Sequence, residues 1–271
     1  MNYAYWLAGL SVIFVGIERI KPRRPDPGIL RPQILTDLFY LVFNGHFLGV
    51  LIATLAAPLL VRLDASLTGW DLYGWFYFGL AEDWPLWAQI PVALVGIDFL
   101  HWNIHRMLHA VPWLWNLHKV HHSAPHLDFV VSLRFHWAEI VVYKSLTYPL
   151  LALLGFSNEA LFALAVINTA VGHFNHANLE VRIGPLKYVL NNPAMHIWHH
   201  VHPDHGPLHR NFGITLSLWD WIFGTAHLPD HHPARLGFAH IEEFPTTPPG
   251  QLLLPLPIEA AIRKRRKPST P

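Results

Sequence analysis

The chain is 271 residues long, 52% hydrophobic but only 14% charged, with a formal net charge of +1 and no cysteine. Soluble domains carry about 25% charged residues, so this balance indicates a membrane protein, and the near-neutral charge argues against a nucleic-acid partner. Without cysteine there are no disulfides, iron–sulfur clusters, thiolate haem or cysteine zinc sites, and any metal must be held by His, Asp or Glu.

From the N-terminus, residues 3–17, 34–61 and 85–100 are apolar runs, and crossing a hydrocarbon core takes about 20 residues. The first is expected to be a retained anchor rather than a signal peptide, because Arg19, Lys21, Arg23, Arg24 and Arg31 follow it and no basic segment precedes it. Residues 22–32 form a Pro- and Arg-rich stretch expected to be a loose loop. Two further runs, 138–154 and 158–171, joined at Gly155-Phe156-Ser157, predict a helical hairpin that spans or re-enters the bilayer. Five basic residues lie between Arg19 and Arg31, Arg62 alone follows the second run, and the Gly155 turn has none. The positive-inside rule then puts residues 19–31 in the cytoplasm, with every histidine cluster and the basic run 263–267 on the same side. A bacterial inner membrane is the expected location. Residues 245–257 and the final residues read as a loose Pro-rich tail.

The expected fold is all-α: a multi-pass membrane bundle of about four transmembrane helices with a cytoplasmic, histidine-rich helical cap holding a dimetal site. Its expected parts are an N-terminal transmembrane anchor region (1–91), a histidine-rich domain (92–229) and a Pro-rich basic cytoplasmic tail (230–271).

Histidine is the most informative residue. Of 21, only His46 precedes His101, and the rest lie between His101 and His240. His101, His105 and His109 recur at i, i+4 and i+8; His118, His121 and His122 form HxxHH, as do His196, His199 and His200; His173 and His176 close the hairpin. On helices these spacings present imidazoles to one side, and two facing arrays can hold two metals. His105, His109, His118, His121, His122, His173, His176, His196, His199 and His200 are the candidate ligands, with His101 and His136 left open. His46 reads as a packed membrane histidine, and His126, His202, His205, His209, His227, His231, His232 and His240 as solvated loop positions. Asp98, two turns before His105, is expected to orient a ligand through an imidazole N–H, and Glu139, Asn178 and Asp220 are further candidates for that role.

The segments His105-Arg106-Met107-Leu108-His109, Leu117-His118-Lys119-Val120-His121-His122, His176-Ala177-Asn178, Met195-His196-Ile197-Trp198-His199-His200 and Asn211-Phe212-Gly213 through Trp219-Asp220 to Phe223-Gly224-Thr225 resemble the fatty acid hydroxylase superfamily, which includes sterol desaturases and lipid hydroxylases. The resemblance covers residues 92–229. It implies a membrane non-haem di-iron oxygenase, with two iron ions held by the histidine boxes and zinc as a possible substitute. It also implies a lipid substrate, fatty acyl, sterol-like or isoprenoid, that is hydroxylated or desaturated with O2. No GxGxxG, CxxCH or Walker pattern is present, so electrons are expected from a separate donor protein, a reductase or a pterin. Trp102, Trp113, Trp115, Phe135, Trp137, Trp198, Trp219 and Trp221 are candidate lining for lipid access. The rival readings are a histidine-rich membrane metal transporter or buffer, which needs ligands on both sides of the bilayer, and a bis-histidine haem carrier, which leaves the HxxHH triplets unexplained.

Overall fold

A computed structural model describes residues 2–24, 28, 30–70 and 73–254. These are helical, with three isolated β-bridges and no strand among the described residues. Helix α1 (Tyr3–Ile20) starts on Asn2, whose side chain accepts from the Ala4 N–H. Helices α2 (Ile34–Val42) and α3 (Leu48–Gly69) are joined without a break by a π-helical turn, Phe43–Phe47. That turn is held open by Asn44, whose amide donates to the carbonyls of Leu133 and Phe135, each at 2.8 Å. After the single turn α4 (Tyr73–Phe76), α5 (Leu86–Ala110) runs the length of the molecule. It reverses at Val111-Pro112 into α6 (Pro112–His122), where proline suits the first helical position.

Helices α7 (Trp137–Leu153) and α8 (Asn158–His176) occupy the predicted hairpin positions, and α5 packs against both. Short helices α9 (Pro193–His199), α10 (Leu218–Ile222) and α11 (Pro248–Leu252) complete the end that carries the histidines. The opposite end, at the Gly155 turn, is tied to the 78–84 loop by Phe78 N–H to Leu153 and Ala81 N–H to Leu154. There Ala93, Ile97, Leu151 and Leu164 form a core between α5, α7 and α8. From Glu139 to Leu153 the α7 axis rises about 21 Å, which separates the two ends.

Two helices, Tyr3–Ile20 and Ile34–Leu59, are long and apolar enough to cross a membrane. The sequence leads one to expect about four. Helix α7, at 17 residues, is too short for that class, and α5 and α8 fall outside it because polar residues such as Asp98, His105 and His176 interrupt their apolar runs.

The two Pro-rich stretches differ from the loose loops expected. Arg24 N–H donates to Asn178 Oδ1, Arg23 to the Pro193 carbonyl, and Arg31 bridges Asp37 and Asp128, so the described part of 22–32 is pinned to the histidine end. In the tail, α11 docks through fully buried Gln251, while the Leu252 carbonyl accepts from His136 Nε2 and Trp137 Nε1. The basic run 263–267 lies outside the described residues.

Candidate metal centre

Helix α5 presents His105 and His109 one turn apart, and α6 returns beside it with His118, His121 and His122. Helix α8 ends at His176, and α9, capped by Asn192 accepting from the Ala194 and Met195 N–H groups, supplies His196 and His199 just before His200. Nine of these imidazoles converge in two groups. His105, His109, His118, His122 and His199 form one; His121, His176, His196 and His200 form the other, with ligand nitrogens in each within 4.8 Å of one another.

Both HxxHH triplets divide between the groups. Residues i and i+4 lie about 40° apart around a helix axis, while i+3 falls on the other side of i. His118 and His122 therefore enter the five-histidine group and His121 the other, whereas His196 and His200 enter the four-histidine group and His199 crosses over. The groups adjoin, with the His122 and His200 rings stacked at 4.4 Å between centroids.

The hydrogen bonds behind the rings test whether metal fits. His105 Nδ1 donates to the Phe212 carbonyl, His118 Nδ1 to Glu139 Oε1, His121 Nδ1 to the Arg134 carbonyl, His176 Nδ1 to the Gly172 carbonyl and His199 Nδ1 to the Arg210 carbonyl. These partners only accept, so each neutral ring carries its proton on Nδ1 and a lone pair on Nε2. The lone pairs face one another, with Nε2 separations of 3.1 Å for His105 and His118 and 3.1 Å for His121 and His176. Two unprotonated nitrogens at that distance repel unless a cation lies among them, so the donor set fits metal ions. Burial, reinforced by neighbouring imidazoles, holds His118, His121, His122, His196, His199 and His200 well below the usual histidine range, in the neutral form that ligates. Imidazole donors suit iron, zinc, copper or nickel.

Several expected roles fall elsewhere. His173 joins neither group: its Nδ1 pairs with Ser132 Oγ at 2.7 Å and its ring packs edge-on against Phe14, a buried structural contact. Asp98 meets no imidazole; it accepts from the N–H groups of Thr215 and Leu216 and from Trp219 Nε1, and so anchors the 215–219 segment. Asn178 spends its side chain on the backbone of Arg24. His101 pairs with Thr147 Oγ1 at 2.8 Å, and His136 caps α7 by accepting from the Ala138 N–H. His202, expected in solvent, is buried and caps the 203–205 turn. Glu139, completely buried, does stand behind a candidate ligand, His118.

The loop at 210–220 supplies two ring supports that histidine spacing alone does not reveal. Asp220 accepts from Trp102 Nε1, the Phe212 and Gly213 N–H groups and Thr225 Oγ1, fixing the Phe212 carbonyl against His105. Gly213 has to be glycine: a Cβ there would lie 2.4 Å from the Leu216 carbonyl oxygen and 2.9 Å from Asp220 Oδ2. Sequence reasoning also missed the buried chain Arg134–Asp37–Arg31, with both arginine contacts to Asp37 at 2.6 Å, which fixes the Arg134 carbonyl behind His121. The signal was present in three charges lying in or beside apolar runs.

A cavity of about 900 Å³ opens between α3, α5, α7 and α8 and reaches both groups, at His105 and His118 on one side and His121, His176 and His196 on the other. Of the aromatics proposed as lining, only Phe135 borders it; Tyr3, Tyr143, Tyr148 and Phe162 are the others that do. Trp102 and Trp198 are instead core residues.

The fold and the site thus define a helical protein with a buried polyhistidine centre able to hold metal beside a large, mostly apolar cavity. The fatty acid hydroxylase profile matches residues 90–225, half of the sequence, and the chain belongs to that family. Among curated proteins it is similar to ornithine lipid hydroxylase OlsE of Rhizobium tropici, with 30% identity over 55% of this chain and 44% of that protein. It is also similar to the alkylglycerol monooxygenase of Xenopus tropicalis, with 27% identity over 70% of this chain and 43% of that protein. Very-long-chain aldehyde decarbonylase GL1-5 of Oryza sativa shares 27% identity over 59% of this chain and 28% of its own length. Each match spans less than half of the relative. No solved structure matches the chain.

Proposed function

We propose that this chain is an integral-membrane, non-haem di-iron oxygenase that hydroxylates or desaturates a lipid. The observation that carries the reading is the meeting of nine imidazole nitrogens, in two adjoining groups, with one end of a 900 Å³ cavity. That volume lies at the upper end of the range for small-molecule sites, about 300–1,000 Å³. Relatives that hydroxylate or oxygenate lipids support the same chemistry.

The five-histidine group and the four-histidine group would each hold one iron, and the pair would supply O2 activation and oxidation of an unactivated C–H bond. The chain's own residues prepare that chemistry. Glu139 and the carbonyls of Phe212, Arg134, Gly172 and Arg210 lock the rings in the Nδ1–H tautomer, aim their lone pairs inward and raise their basicity. Ile97, Leu151, Leu161 and Leu164 make the far end of the cavity a dry seat for a hydrocarbon tail. Electrons come from a separate donor protein or reductase.

Membrane insertion is supported by the exposed apolar side chains of Tyr5, Val12, Ile13, Leu51, Leu55 and Leu59 on the two spanning-length helices. Exposed Trp75, Trp84 and Trp87 lie in or beside the loop packed on the Gly155 turn, where an aromatic belt would meet the far membrane surface. In this multi-pass arrangement the histidine end faces the cytoplasm. A transport path would string ligands along the bundle, whereas here they gather at one end of it.

The test is to incubate the iron-loaded protein in nanodiscs with membrane lipid extract, O2 and a reducing system, and to analyse the lipids by mass spectrometry. An O2-dependent gain of one oxygen atom, or loss of two hydrogens, in a lipid class is the expected result. Unchanged lipids with fully metal-loaded protein and an active reducing system would overturn it.

A further inference from the structure

The cavity wall changes character along its length. Nearest the histidines it carries Asn175 and Phe135; one to two turns further out it carries Tyr143, Lys144 and Thr147 from α7 and Asn168 and Thr169 from α8; beyond these it is apolar. The polar belt is a built structure. His101 pairs with Thr147 across α5 and α7, and the Tyr3 hydroxyl pairs with Thr169 at 2.5 Å across α1 and α8.

Lys144 differs from the other members of the belt. Its side chain is half-buried, its ammonium lies 5.2 Å from the centre of the Tyr148 ring, and it approaches the α3 backbone at Gly49, where a Cβ would stand 3.9 Å from Nζ. Among the described residues no carboxylate comes within ion-pair reach of it. Glu139, the nearest acid along its own helix, is five residues away and bonded to His118. A cation flanked by apolar helices without a counter-ion is costly, and such residues mark ligand sites. The Tyr148 ring offsets only part of that cost.

We infer that Lys144 is the counter-charge for the carboxylate or phosphate headgroup of a single lipid, seated in the belt with its tail toward Leu151, Leu161 and Leu164. The inference rests on the reading of the cavity as the lipid site and adds the class of lipid it selects. Five residues of α7 separate Lys144 from Glu139, an axial distance of about 7.5 Å. A lipid held this way presents its polar end, rather than its chain terminus, to the histidines.

The experiment is equilibrium binding of palmitate, hexadecyl phosphate and neutral palmitamide to the metal-loaded full chain in nonionic-detergent micelles. The native protein, Lys144→Gln and Lys144→Arg are compared, with metal content and melting temperature as controls for folding. The native protein is expected to bind at least one of the anions about tenfold more tightly than palmitamide, the ratio typical of a charge-assisted hydrogen bond. In Lys144→Gln that preference should vanish with palmitamide affinity unchanged, and in Lys144→Arg it should persist. Equal binding of anions and amide by the native protein, or an undiminished preference in Lys144→Gln, would overturn the role of Lys144 and leave the lipid cavity standing. Failure of all three amphiphiles to bind would instead overturn the lipid cavity, and the Lys144 inference with it.

Discussion

The five-histidine and four-histidine groups are built from overlapping helices, yet they differ in what stands behind the rings. Among the described residues, the larger group has the only carboxylate in direct contact with a candidate ligand, Glu139 on His118, together with the Phe212 and Arg210 carbonyls. Among the described residues, the smaller group rests on the Arg134 and Gly172 carbonyls alone, and His196 Nδ1 is buried without a partner. One site thus has a spare donor and a carboxyl group close by, and the other has neither. Two histidine groups assembled from near-identical sequence triplets thus need not be equivalent in metal affinity.

Removing one donor from each group separates the two experimentally. His176→Ala leaves three donors in the smaller group and is expected to empty it, lowering total metal by about half and abolishing activity; metal analysis of purified protein reads the loss directly. Glu139→Gln keeps the size but replaces the carboxyl group behind His118 with an amide, and should weaken metal binding about 10–100-fold in the larger group alone, as measured by chelator competition. Equal weakening at both positions would erase the asymmetry. His109→Ala reduces five donors to four and should retain metal, with a smaller loss of affinity than Glu139→Gln. Smallest of all is His173→Ala, whose expected signature is unchanged metal content and a stability loss of about 1–3 kcal/mol from the orphaned Ser132 contact, read by thermal melting.

Much of this was legible in the sequence, because helical spacing is a local property. The all-helical class, the hairpin positions and the gathering of His105, His109, His118, His121, His122, His176, His196, His199 and His200 all follow from i, i+3 and i+4 relations. What spacing does not carry is long-range partnership. His173 has the same spacing to His176 that His118 has to His121, but its neighbours are Ser132 and Phe14, contributed by distant segments. Asp98 shares a helix with His105, yet its carboxylate faces the 215–219 segment, which no periodicity on α5 reports. The pinned Pro-rich stretches have the same explanation: their composition is that of loops, and the contacts that order them come from Asp37, Asp128 and Asn178 for the first and from His136 and Trp137 for the second.

Whether each histidine group holds its own metal ion is read by metal analysis of protein purified in mild detergent from iron-supplemented cells. Close to two iron ions per chain are expected, falling to about one in His176→Ala. Two zinc ions would uphold the paired positions, because zinc can replace iron on the same imidazole donors during expression. A single metal ion in the native protein, or none, would contradict the paired positions.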